Sequence, residues 1–315
     1  MCISALRAGV IPMDALQLFR EELDRLVDEL SSKTAPLTNY LSPGGSSTRA
    51  YVIIALIGIL FSFLEATALL LLKPWLVKLL QQPAKARVDQ KAQLKKANDA
   101  ATQAVARLVA SVHHGIQVPV GMLLLLDPNF RNNRVYANSS LSYAMCYLSA
   151  GYFLHDLVMC LLRFSLEGPL YSIHALSCHM SYMFGAVTGF LHYHGAAFLM
   201  WEISTPCVHL RWFMYKAGLT HSIWYLVNGL MMIVAFFCCR IVWGYVGSYY
   251  LVNDVVGEQY RPGSPFPITA TVGYCFVAVV MNTLNTYWFV KMAAIAVAVF
   301  LKGKKMAEVG SHKDE

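Results

Sequence analysis

The sequence predicts an all-α, polytopic membrane protein of about seven transmembrane helices. Of its 315 residues, 57% are hydrophobic and only 14% charged, whereas soluble domains carry roughly 25% charge. Mean hydropathy is +0.48. Apolar runs also recur at the length of roughly 20 residues that a helix needs to cross a bilayer. They cover 50–72, 107–126, 141–163, 169–191, 196–215, 223–246 and 268–301.

Before the first run, residues 1–48 read as an amphipathic helix and a linker. Leu16, Phe19, Leu23, Leu26 and Leu30 step by three and four along one helix face. The opposite face is net acidic, with Glu21, Glu22, Asp24, Asp28 and Glu29 against Arg20 and Arg25. Anionic lipid prefers basic faces, so this helix is expected to meet the protein itself or a partner protein. No short apolar core with a small-residue cleavage site is present, so no cleaved signal peptide is expected.

The first span, 49–73, leads into 74–106, a basic helix or loop expected in the cytosol. Its Ala, Lys and Gln content predicts a solvated helix that extends the second span. Six more spans fill 107–304, and 305–315 form a cytosolic tail. Lys and Arg set the orientation: twelve lie on the side shared by the 74–106 segment and the tail, against eight on the other. This places the tail in the cytosol and the N-terminal helix in the lumen. Asn138-Ser139-Ser140 is a glycosylation sequon on the lumenal side of that topology. The net charge of +7 reflects basic loops. No basic patch interleaves with aromatics on a soluble segment, so nucleic acid is not expected. The cysteines lack CxxC spacing, and no metal or other cofactor is expected.

Ionisable residues in hydrocarbon are costly and persist where they pair or line a site. The apolar stretch 151–211 carries His155, Asp156, Arg163, His174, His179, Glu202, His209 and Arg211. Asp156 and Arg163 are seven apart and share a helix face. His174 and His179 are five apart, a turn of about 140°, so they do not share one. Glu202-Ile203-Ser204-Thr205-Pro206 interrupts the fifth span, and Pro206 predicts a kink. Glu202 and His209 share a face, as do Arg107, Ser111 and His114 in the second span. Asn228-Gly229 and Arg240 repeat the pattern in the sixth span, and Asn282, Asn285 and Trp288 in the seventh. Polar groups from six spans suggest one internal cavity. A Glu202 locked to an Arg or His across the bundle is the alternative.

These motifs resemble the TLC domain family, which includes ceramide synthases and the translocating-chain-associated membrane protein. The similarity runs from about Arg107 to Lys304. It is carried by Gly151-Tyr152-Phe153-Leu154-His155-Asp156, by the His174 motif and by Glu202 through Trp212. Asn228-Gly229 through Arg240 and Leu284-Asn285-Thr286-Tyr287-Trp288 add to it. The resemblance implies a TLC-type helical bundle in the endoplasmic reticulum membrane, with the plasma membrane as the alternative. Its nearest branch comprises TLC domain proteins of membrane-lipid homeostasis. That implies an acyl or sphingolipid-like ligand held by Asp156, His174, Glu202, His209, Arg211 and His114.

The other implied activity is N-acylation of a sphingoid base, with His174 as base or acyl carrier. Ceramide synthases carry adjacent histidines where this chain has His174-Ala175. They carry a pair of aspartates where it has Glu202 and Ser204, and an Asn where it has His209. The reading is therefore lipid binding without robust acyl transfer.

Overall fold

The computed structural model describes Arg25 and residues 47–80 and 87–311, with side chains for 48–80 and 90–298. The expected N-terminal amphipathic helix lies outside these residues apart from Arg25. The described chain is mostly helical, with no strand among the described residues. Helix α1 spans Ser47–Leu80, α2 Arg87–Leu126, α3 Pro128–Asn132, α4 Ser140–Leu162, α5 Phe164–Glu167 and α6 Pro169–Thr188. After these come α7 (His192–Leu199), a 3-10 turn (Met200–Ser204) and α8 (Thr205–Lys216). A second 3-10 turn, Leu219–His221, leads into α9 (Ile223–Phe236), which continues through a π-helical segment (Phe237–Val242) into α10 (Trp243–Tyr260). Helix α11 covers Ile268–Ser311.

Among the described residues, five stretches are long and apolar enough to cross a membrane: Thr48–Leu80, Gln90–Leu126, Ser140–Leu162, Ile223–Tyr260 and Ile268–Ala298. The expected fourth and fifth spans exist as α6 and as the α7–α8 pair, but they are not among those five. One is rich in His and Ser, and the other is broken in the middle. As expected, the segment before the second span is helical and continuous with it. It is not simply solvated, however. Ala97, Ala100, Ala101 and Ala104 are buried, and α1 packs along α2. The 40 residues of α2 reach about 60 Å, twice the hydrocarbon thickness of about 30 Å.

Helix α4 is the central post, packed on α6 and on α1. Its start is fixed by a capping box in which Ser139 and Ser142 each bond the other's backbone. Gly151 lets α1 approach closely, since a Cβ there would lie 2.4 Å from Ile57 Cγ2 and 2.9 Å from the Ile54 carbonyl. The main core runs from Ile54 and Phe61 on α1 through Val105 and Val109 on α2 to Tyr152 and Phe153 on α4. The expected kink at Pro206 takes a different form. The helix breaks before the proline, and Pro206 sits in the first turn of α8. There its missing N–H has no partner to lose. The sequon Asn138 is exposed, and its amide donates to the carbonyls of Tyr136 (3.1 Å) and Gly189 (3.3 Å).

Candidate functional site

The site begins with one stripe on α6. His174, Ser177, Cys178, Ser181, Tyr182 and Gly185 recur at helical spacing and line the same slot. The slot has a volume of about 70 Å³. Phe153, Phe198, Trp201, Val277, Ala278 and Met281 contribute apolar walls from α4, the α7 region and α11. From His174 to Gly185 the stripe is about 16 Å long at the helical rise of 1.5 Å per residue. Ala175 and His179 fall off the stripe. Ala175 is fully buried, and His179 Nδ1 donates to the Ala150 carbonyl at 2.9 Å.

One end of the slot is walled by Glu202. The 3-10 turn carries its carboxylate into the bundle, where Arg240 Nη2 approaches Oε2 at 3.0 Å and His114 Nε2 at 3.4 Å. Thr205 Oγ1 donates to the same oxygen at 2.5 Å. Arg240 also donates to Thr205 Oγ1 (2.9 Å), Ser204 Oγ (3.1 Å) and Asn285 Oδ1 (3.3 Å). Ser204 Oγ returns a bond to the Trp201 carbonyl at 2.9 Å. Arg240 lies in the π-helical segment, whose extra residue per turn re-aims side chains. Buried charge in a low dielectric is tolerated only when paired and hydrogen-bonded, and this cluster meets that condition from four parts of the chain.

The opposite end is walled by His194, whose Nε2 lies 2.8 Å from Asp254 Oδ2. Arg134 grips the same carboxylate in bidentate fashion, through Nε (2.7 Å) and Nη2 (2.6 Å). A third cluster of the same kind lies away from the slot. Glu65 on α1 pairs with Arg163 and, at 3.0 Å, with His155 Nε2. Each of the three carboxylates therefore holds one histidine and one arginine.

The residues predicted from sequence divide as follows. Glu202 and His114 meet directly. His174 lines the slot beside Phe153 and Trp288, with ring separations of 6.0 and 5.8 Å. Its hydrogen-bonding contact among the described residues is Cys178 Sγ, at 3.9 Å. His209 stands one step out, its ring 6.3 Å from His114 and its Nδ1 3.1 Å from Ser111 Oγ. Asp156 does not pair with Arg163, which turns to Glu65 instead. The neighbouring polar atom is Cys160 Sγ at 4.0 Å, and the charges acting on Asp156 are those of Glu167, Glu65 and Glu202. Arg211 is outside the slot. It donates to the Tyr225 carbonyl at 3.0 Å and lies 4.0 Å from that ring's centre, over the space Gly229 leaves open. The convergence extends to Arg240 and Asn285. Asn228 instead ties α9 to the Cys207 carbonyl at 3.0 Å. Sequence reading missed Glu65, whose signal was a lone acid in an otherwise apolar span, and missed the link between His194 and Asp254.

A family model for the TLC domain matches residues 103–294. The chain is 28% identical over 187 residues to an uncharacterized TLC domain-containing protein of Schizosaccharomyces pombe, covering 59% of this chain and 63% of that one. It is 32% identical over 180 residues to topoisomerase I damage affected protein 4 of Saccharomyces cerevisiae, covering 56% and 63%. It is 36% identical over 151 residues to TLC domain-containing protein 4 of Xenopus tropicalis, covering 46% and 56%. In each case the match spans less than two thirds of the relative.

Proposed function

The chain belongs to the TLC domain family, and on that premise we propose that it handles a membrane lipid, with the lipid's apolar chain in the slot. One observation carries this reading. The stripe His174, Ser177, Cys178, Ser181, Tyr182 and Gly185 runs along a mostly apolar slot that ends on the paired Glu202. A pocket with apolar walls and a few convergent polar groups is the form a small-molecule site takes.

The same geometry favours binding over acyl transfer. General acid–base catalysis needs a base aligned with its partner. His174 has a thiol at 3.9 Å and no carboxylate in ion-pair reach among the described residues. Ala175, at the position of the second histidine of ceramide synthases, faces the packing side of α6. The protein acts in membrane-lipid homeostasis, resides in the endoplasmic reticulum and keeps its tail in the cytosol, consistent with its basic bias. A protein partner on the acidic N-terminal helix belongs to the same reading.

Mass spectrometry of protein purified in mild detergent tests the binding. A lipid held at stoichiometric amounts is expected, and its absence counts against the proposal. Incubation with acyl-CoA and a sphingoid base tests the chemistry. Little N-acyl product is expected, and sustained product abolished by His174→Ala would establish the acyltransferase instead.

A further inference from the structure

We propose that the seam between α2 and α8 binds the anionic headgroup of a membrane lipid, at a place separate from the slot. The ligand class rests on the lipid-handling reading above, but the location does not.

Three rungs cross the seam. Arg107 Cζ lies 4.2 Å from the centre of the Trp212 ring. Ser111 Oγ is 3.1 Å from His209 Nδ1. His114 Nε2 is 3.4 Å from Glu202 Oε2. On α2 the three residues step by four and three, so they share one face and span about 10 Å along the helix. The seam opens on the outer surface. Ser111 is exposed, and Leu108 (40%), Val112 (46%) and Leu210 (51%) beside it present apolar surface. Polar and ionisable side chains in a membrane protein normally turn inward. Ser111 Oγ also donates to the Arg107 carbonyl at 2.8 Å, and a line of such groups beside exposed leucine and valine side chains suits a ligand that is polar at the same level.

The charge of the seam selects that ligand. Arg107 spends Nη1 on the Gln103 carbonyl at 3.0 Å. Among the described residues it has no carboxylate within 4.0 Å, and Glu167 acts on it only from farther away. Lys216 Nζ lies 5.5 Å from the same Trp212 ring and likewise has no carboxylate within ion-pair reach among the described residues. Two cations share one indole with no carboxylate in contact among the described residues, and a serine and a histidine stand on the next rung. The acid at the deep end, Glu202, is already neutralised by Arg240. An arginine with free guanidinium donors suits a phosphate or carboxylate group. The indole fixes the arginine by cation–π contact and leaves those donors available.

The test uses the full chain in phosphatidylcholine nanodiscs doped with phosphatidic acid or with diacylglycerol of the same chains. A parallel pair uses oleate and oleyl alcohol. Bound lipid is read by native mass spectrometry. We expect the anionic member of at least one pair to be retained by about tenfold or more, the effect of one or two charge-assisted hydrogen bonds. Arg107→Gln should bring the ratio near one, and Arg107→Lys should keep most of it. Lys216→Gln provides the reading if Arg107→Gln does not fold. Ala278→Phe, which fills the slot, should leave the ratio unchanged. Equal retention within both pairs, or a ratio that neither the Arg107→Gln nor the Lys216→Gln change moves, overturns the proposal. Absence of slot lipid from the wild type with the anion preference intact would count against the slot and not against the seam.

Discussion

Glu65 and Glu202 are both buried, and each is held by one histidine and one arginine. They do different work. Glu65 sits in an unbroken helix and joins α1 to α4 through His155 and Arg163, and Ser62 Oγ braces the far side of that imidazole at 3.0 Å. No cavity adjoins it among those described. Glu202 sits where the helix is interrupted, and its carboxylate walls the slot. An acid–histidine–arginine cluster is therefore not in itself the mark of a site. The break in the backbone and the space beside the acid set Glu202 apart.

Breaking the second cluster should have the largest effect. Arg240→Met removes a buried cation and leaves Glu202 uncompensated, a loss of about 3–5 kcal/mol. Thermal unfolding in detergent should show a large drop, together with loss of bound lipid. An unchanged midpoint would show that Glu202 is not a stably paired charge. Glu202→Leu is expected to match it, because Arg240 is then the orphan.

Breaking the first cluster should cost less. Arg163 caps the end of α4 and is 19% exposed at the side chain, so after Glu65→Leu it can turn to the interface. We expect a loss of about 1–3 kcal/mol, the cost of a buried group left without its partner. Bound lipid should be unchanged. If Glu65→Leu empties the slot, the division between the two clusters fails.

The smallest effect sharpens the comparison within the second cluster. Thr205→Val removes one donor to Glu202 but keeps Arg240 and His114 in place. The expected loss is about 1 kcal/mol, seen as a modest fall in midpoint with lipid still bound. A loss as large as that of Arg240→Met would mean that the threonine, and not the arginine, organises the carboxylate.

Much of this was legible in the sequence, for reasons that differ from residue to residue. The helical spans follow from apolar runs of the right length, and the extension of α2 from its breaker-free composition. His174 and His179 were separable by helical geometry alone, and the slot confirms that they face apart. Glu202 with His114 was reachable from shared faces on two spans. The pairings of Glu65 with Arg163 and of His194 with Asp254 were not. They join residues 98 and 60 positions apart, and periodicity reports which face a residue takes but not which helix stands opposite. The π-helical segment around Arg240 was also hidden, because its six residues carry no composition that distinguishes them from the α-helix on either side. Arg211 illustrates the converse. It shares a motif with Glu202, yet the restart of the helix at Thr205 sends it to α9.

The central claim is that the slot holds the apolar part of a lipid. Ala278 is small, lines the slot and is 7% exposed, so Ala278→Phe fills the space without replacing a residue of the three charged clusters. Lipid bound to the wild type and to this variant can be quantified by mass spectrometry after identical mild purification. The account predicts stoichiometric lipid in the wild type and loss of the slot-bound lipid in a folded Ala278→Phe protein. The same lipid held in equal amount by both proteins would contradict it.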